Sequence, residues 1–195
     1  KFFSIIAHDL RNPFSGLLGL TNYLIDHVDT MQVDDTKKYL ISINESSRQT
    51  YILLENLLDW AQTQLSSIKY HPEIFNLFFI AENTKKLFNT TSTIKDITII
   101  NRIEPETMVF ADKKMAETII RNLVGNALKF TNKKGAVEIS SINIDSNVHV
   151  AIRDTGIGMN QEQLNNLFIL DSVSSRRGTA NEKGTGLGLI VCMEL

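Results

Sequence analysis

A single cysteine in 195 residues leaves Cys192 without a partner in the chain, so no internal disulfide can brace the fold. A reducing compartment is the simpler reading. Three prolines and ten glycines are too few for a collagen-like or low-complexity chain. No apolar run approaches the roughly 18 residues that a membrane span needs. Positive charge is not in excess either: 20 Lys+Arg against 22 Asp+Glu give a net charge of −2 and a pI near 6.1. The basic footprint of a protein that lives on phosphate backbones is missing, and nucleic acid is not expected as a partner. What the chain does contain is 43% hydrophobic residues, enough for one or two domains with real cores. It opens on Lys1-Phe2-Phe3-Ser4, already helical in character and without a start Met, and stops within the apolar helical run Val191 to Leu195. A fragment of a longer protein is expected.

Glycine and proline mark the division of the chain. Residues 1–70 hold only Gly16, Gly19 and Pro13, whereas six of the ten glycines fall between Gly156 and Gly188. In the first half, apolar residues recur at alternating spacings of three and four at Phe3, Ile6, Leu10, Pro13, Leu17, Leu20 and Leu24, one continuous stripe down a helix. The polar stretch Asp29 to Asp35 breaks it, and Asp34 or Asp35 can cap a second helix running to about Ile68. Two helices of about thirty residues, roughly 45 Å each, cannot bury such stripes alone. A four-helix bundle formed by dimerisation would do so.

His71-Pro72 reads as the linker between residues 1–70 and 71–195, because proline disfavours helix in the residue before it. Beyond it, Ile74–Leu77, Ile97–Ile103, Val137–Ile144 and Val148–Ile152 are rich in β-branched residues, with a hairpin turn near Asn147. Residues 79–93 and 112–130 have apolar positions at helical spacing, so a sheet covered on one face by helices is expected.

If Phe3 is position a of a heptad, position f falls on Lys1, His8, Ser15, Asn22 and Asp29, all polar. His8 therefore faces water, either as one more solvated side chain or as a nucleophile. Asp9 adjoins it and Asn12 lies one turn on, so a carboxylate can hold one imidazole nitrogen while the other stays free to attack. Pro13 removes a donor and clashes with the carbonyl of Asp9, which predicts a kink one turn from the histidine. The run FSIIAHDLRNPFSGLLG, Phe3 to Gly19, closely resembles the phosphoacceptor box of sensor histidine kinases of two-component systems. The resemblance implies that His8 takes the γ-phosphoryl of ATP, that Asp9 serves as base or orienter, and that Asn12 positions water for dephosphorylation.

Three further motifs bear on a ligand. In RNLVGNALKFT, Asn122 and Asn126 share a helix face with Lys129 one turn further, and amide oxygens with a cation suit Mg–phosphate. Taken alone they would read as solvated or capping residues. In DTGIGM, Asp154 is followed by Gly156 and Gly158, which let a ligand approach the backbone or make a plain turn. In KGTGLGL, from Lys183 through Gly184, Thr185, Gly186, Leu187 and Gly188 to Leu189, glycines alternate at the entrance of a helix where exposed N–H groups favour an anion. Neither the Walker loop nor the dinucleotide fingerprint fits.

In order and approximate spacing, these motifs are similar to those of the ATP-binding domain of histidine kinases and the wider gyrase, heat-shock and mismatch-repair ATPase superfamily. The implied fold is α+β in two domains: a helical hairpin forming a dimeric four-helix bundle over residues 1–70, then a C-terminally truncated α/β sandwich over residues 71–195. The resemblance further implies that Asp154 binds the adenine amino group, that Asn126 with Asn122 holds Mg²⁺, and that Lys129 contacts phosphate. Asn165 to Glu182 would be an ATP lid, and Arg176, Arg177 and Lys183 are cations able to meet the γ-phosphate or to remain solvated. A homodimer, a response-regulator receiver domain as partner, separate or fused, and a cytoplasmic position in a membrane-bound sensor complete what is implied. The rivals are an ATPase of the same superfamily that makes no phosphoenzyme, and a dimeric signalling scaffold that binds no nucleotide.

Overall fold

A computed structural model describes residues 2–64, 70–168, 177–182 and 188–195, leaving aside the side chains of 2–12, 45, 48, 49, 52, 53 and 55–64. The chain divides into two compact units, Lys1–Gln62 and Thr63–Leu195. The first contains α1 (Phe2–His27) and α2 (Val33–Gln64). α1 runs through Pro13 as one helix. Along its described part, residues 13, 17, 20 and 24 withdraw from solvent while Phe14, Leu18 and Ile25 stay exposed, which follows the heptad stripe. Near the turn, Tyr23 stacks on His27 with ring centroids 4.3 Å apart and meets Tyr39 of α2 at 5.1 Å. The cap of α2 differs from expectation. The helix begins at Val33, and the Gln32 carbonyl accepts the amides of Asp35 and Thr36. Asp34 and Asp35 therefore sit in the first turn, where their charge meets the positive end of the helix rather than capping it.

The second unit contains β1 (Pro72–Asn76), α3 (Leu77–Leu87), α4 (Asn89–Lys95), β2 (Thr98–Asn101), β3 (Met108–Asp112), α5 (Lys113–Phe130), β4 (Ala136–Ile144), β5 (Asn147–Asp154), α6 (Gln161–Asn165) and α7 (Gly188–Glu194). In place of one sheet there are two ribbons: β1 pairs antiparallel with β3, while β2 runs parallel to β4 and β4 antiparallel to β5. The β4–β5 turn is Asp145-Ser146, with Asp145 at φ 53°, so Asn147 is already paired with Ile144. The helix expected over 79–93 is broken at Phe88, whose ψ of 5° leaves helical geometry between α3 and α4.

α5 organises the unit. Ile120, Val124, Ala127 and Leu128 recur at helical spacing and are buried against α3 and the inward residues Ile99, Val137 and Ile139. Asn122, Asn126 and Lys129 share a different, half-buried face. The helix begins where it does because of Asp112, whose Oδ1 accepts the amides of Lys114 at 3.0 Å and Met115 at 3.1 Å while Oδ2 accepts the His71 amide at 3.0 Å. One carboxylate thus caps α5 and ties down the start of β1. The His71 amide, against the opposing cost of burial and with the Met115 and Lys114 amides, holds the acid below the ordinary aspartate range. Its stabilising contribution is complete above the unfolded pKa near 3.9 and is lost as pH falls through the lowered folded value. Asp112→Asn, with one acceptor oxygen instead of two, is expected to cost about 1 kcal/mol at pH 7, a deficit that shrinks towards about pH 2. Urea unfolding at the two pH values checks it.

Candidate functional site

The described motifs converge on α5 from two sides. At the C-terminal end, β5 delivers Asp154, whose Oδ1 accepts the Gly156 amide at 2.8 Å. The turn then runs against the last residue of α5: the Ile157 amide donates to the Phe130 carbonyl at 3.1 Å. Gly156 is required by space, since a Cβ there would collide with the Phe130 carbonyl oxygen and meet Asp154 Oδ1 at 2.7 Å and the Phe130 carbonyl carbon at 2.8 Å. Gly158 is required by conformation, with φ +62° and open space around its missing Cβ. Asp154 itself is exposed.

On the asparagine face, Asn122 lies beside the start of α7. A Cβ on Gly188 would stand 3.4 Å from Asn122 Oδ1, ordinary contact distance. The last glycine of KGTGLGL therefore borders the first asparagine of RNLVGN. Half-buried Cys192 of α7 lies against the same helix, 3.9 Å from the Ile119 carbonyl, and burial pushes its thiol up despite an opposing contact from Asn122. The amide nitrogen of Asn122 is buried, and apart from that contact with the Cys192 sulfur, which falls short of hydrogen-bond geometry, it has no hydrogen-bond partner among the described residues. A buried unpaired donor is costly and asks for a ligand or water. Asn126 lies one turn further, half-buried. Among the described residues no cluster of His, Cys, Asp or Glu could hold a metal ion. The available donors are neutral amides, which suit a hard ion that takes most of its ligands from phosphate and water. A donor nitrogen beside Gly188 fits a phosphate oxygen, and the amide oxygens of Asn122 and Asn126 are the atoms that would fit Mg²⁺.

Lys129 holds its ammonium 4.8 Å from the centroid of the Phe130 ring. Burial pushes its pKa down, with Glu182 opposing and Lys95 adding to the fall. Arg177, one of three cations read as able to meet phosphate or to remain solvated, turns its guanidinium to Asn181 Oδ1 at 2.7 Å. Arg176, Lys183, Gly184, Thr185, Gly186 and Leu187 lie outside the described residues, as do the side chains of His8, Asp9 and Asn12, whose backbone belongs to α1. Reading of the sequence missed a buried polar cluster at the C-terminal end of α5. There Lys95 contacts Thr179 and Glu182, and the Thr179 hydroxyl donates to the Thr131 carbonyl at 2.7 Å. Lys95, at the end of a short polar helix, carries no local sign of burial.

A hairpin of two long helices, with His8 in the first, and an α/β unit that gathers Asn122, Gly188 and the Asp154–Gly158 turn around one helix define the class. Residues 1–65 match the His Kinase A (phospho-acceptor) domain, and residues 111–195 match the histidine kinase-, DNA gyrase B-, and HSP90-like ATPase. The chain is 27% identical, over 98% of its length, to hybrid signal transduction histidine kinase L of Dictyostelium discoideum, and 26% identical, over 97%, to histidine protein kinase DivJ of Caulobacter vibrioides. It spans 11% and 32% of the lengths of those relatives. The fold matches that of the Acinetobacter baumannii histidine kinase AdeS with a TM-score of 0.69 at 24% identity, covering 96% of this chain and 84% of that one. The chain belongs to the sensor histidine kinases of two-component systems. No helix among the described residues is long and apolar enough to cross a membrane.

Proposed function

We propose that residues 1–70 form a dimerisation and phosphotransfer domain and residues 71–195 an ATP-binding domain. Together they transfer the γ-phosphoryl group of ATP to His8 and then to an aspartate of a response-regulator receiver domain, with an accompanying phosphatase activity served by Asn12. The observation that carries this reading is the gathering of Asn122, the Asp154–Gly158 turn and Gly188 around one helix, in a chain whose sequence also puts His8 on the polar f position of the α1 heptad with Asp9 beside it. Asp154 takes the adenine amino group, Asn126 and Asn122 hold Mg²⁺, and Lys129 stands by the phosphates. Mg²⁺ supplies charge neutralisation on the phosphate oxygens. The His8 nitrogen not held by Asp9 attacks the γ-phosphorus. The N–P bond forms as the bond to the bridging β,γ-oxygen breaks, and its electron pair leaves with ADP. Asp9 keeps the tautomer and absorbs the positive charge that builds on the ring. Arg176, Arg177 and Lys183 are the candidates to offset charge on the transferring group. The apolar residues that α1 leaves in water, Phe14, Leu18 and Ile25, support a homodimer through the hairpin. A cytoplasmic place in a membrane-bound sensor goes with this reading.

Incubation with γ-³²P ATP and Mg²⁺ tests it. Label that is lost in acid and kept in base marks phosphohistidine and is the expected result. A chain that binds ATP but takes up no label, in this length and in a longer one extended beyond Leu195, returns the balance to an ATPase without a phosphoenzyme.

A further inference from the structure

The last four carbonyls of a helix have no partner within it. At the end of α5 each of them is met. The Ala127 carbonyl accepts the Thr131 hydroxyl at 2.7 Å and that of Leu128 accepts Lys95 Nζ at 2.6 Å. The Lys129 carbonyl accepts Lys95 Nζ at 3.2 Å and the Thr179 amide at 2.9 Å, and that of Phe130 accepts the Ile157 amide at 3.1 Å. The last of these bonds hangs the Asp154–Gly158 turn from the helix, and the ammonium on the two carbonyls before it belongs to a lysine only 7% exposed. Lys95 ends α4, and the residues after it hold the other side of the same turn. The Asp96 carbonyl accepts the Lys134 amide at 2.7 Å, and the Thr98 amide donates to the Gly135 carbonyl at 3.0 Å. Ala136, which follows, donates its amide to Thr155 Oγ1 at 2.9 Å and accepts the Thr155 amide at 3.1 Å. Both anchors of the Asp154 turn, Phe130 and Ala136, are thus set by the corner from Lys95 to Thr98. Asp96 and Thr98 contribute main chain, which almost any residue supplies. Lys95 contributes a side chain.

A buried ammonium is tolerated when its protons are met, and here Thr179 Oγ1 at 2.9 Å and Glu182 Oε1 at 2.7 Å complete the set. Such a pair adds little net stability over an apolar side chain of similar volume, but it holds its partners in fixed directions. We propose that Lys95 is a positioning residue for the base of the nucleotide: its ammonium holds the Leu128 and Lys129 carbonyls, and with them the adjoining Phe130 carbonyl from which the Asp154 turn hangs. This rests on the reading above, in which Asp154 takes the adenine amino group. With the ammonium gone, the carbonyl of Leu128, a residue 1% exposed, loses its donor, and Glu182 loses its counter-charge. The last turn of α5 then opens towards water, Phe130 moves with it, and the Asp154 carboxylate leaves the direction from which the amino group arrives. A merely structural lysine would weaken every nucleotide alike, in step with the fold. A positioning lysine weakens the one contact that tells adenine from a base without the amino group.

Comparison of ATP with purine riboside triphosphate, which lacks the 6-amino group, isolates that contact; each is titrated with Mg²⁺ into the whole chain, beside ligand-free thermal unfolding. The parent is expected to prefer ATP by at least about tenfold, the worth of one hydrogen bond to a charged acceptor. In Lys95→Met the preference is expected to fall to within about twofold, while purine riboside triphosphate binds within about threefold of its affinity for the parent. Should Lys95→Met fail to unfold cooperatively, Lys95→Gln takes its place: its amide can still donate to one carbonyl, and the preference is expected to fall at least about threefold. A preference for ATP that survives in the folded variant, whether both affinities hold or both fall in proportion, overturns the positioning role and leaves Asp154 its own. A parent that binds the two nucleotides alike takes the amino group away from Asp154 and overturns the proposal together with that reading.

Discussion

His8→Ala abolishes acid-labile phosphorylation of this chain and leaves ATP binding as it was. The expected loss is complete within detection, at least about a thousandfold, because no other group can replace the nitrogen that forms the N–P bond. Position f of the heptad faces solvent, and alanine is the best helix former, so the substitution leaves α1 at least as stable. The nucleotide motifs belong to the other compact unit, which has its own core around α5. The chain's remaining histidines provide internal controls. His27 lies in α1 with Nδ1 2.9 Å from the Tyr23 carbonyl and its ring stacked on Tyr23. His71 and His149 sit at the first strand and on β5. Acid-labile label surviving in His8→Ala would transfer the acceptor role to one of them and sink the assignment; label lost together with ATP affinity would mean that the substitution acts on folding instead.

What the sequence made legible depended on how local the cause was. The stripe of α1, the apolar spacing of α5 and the β-branched runs of β4 and β5 each follow from neighbours within a few residues, and all four appear where periodicity puts them. β3 went unseen because Met108–Asp112 holds one β-branched residue, Val109, and does not alternate apolar with polar. Its pairing with β1 leaves Ile74 and Phe110 opposite one another and 70% and 69% exposed, so the wet face of this ribbon carries apolar side chains and residue type does not mark it. Phe88 ends α3, and the polar run Asn89 to Thr93 that follows starts a separate helix that no apolar spacing announced. The site divides in the same way. Asp154, Gly156 and Gly158 work within one short turn and were readable as a motif. Lys95 and Glu182 lie 87 residues apart, and only the fold, which brings the end of α4 and the turn 177–182 to the C-terminal carbonyls of α5, pairs their charges.

Gly156→Ala is expected to reduce ATP affinity about a hundredfold or more, some 2.7 kcal/mol, while Gly158→Ala costs no more than about tenfold. The two glycines stand two residues apart and fail for different reasons. At Gly156 the new methyl meets main chain: the Phe130 carbonyl, its carbon at 2.8 Å, and the carboxylate that begins the turn at 2.7 Å. Phe130 ends α5 and accepts the Ile157 amide, so it cannot swing away as a side-chain tip would. The turn must lift instead, and its hydrogen bonds to Phe130 and Asp154 go with it, at the point where adenine is proposed to bind. At Gly158 the cost is a left-handed backbone of about 1 kcal/mol for alanine, with open space for the methyl. Isothermal titration of both variants with ATP, beside urea unfolding, separates the causes. Equal losses at the two positions would mean that backbone freedom, not close approach to α5, governs the turn. Parent-like ATP binding in Gly156→Ala, with the fold intact, would take the nucleotide away from this turn altogether.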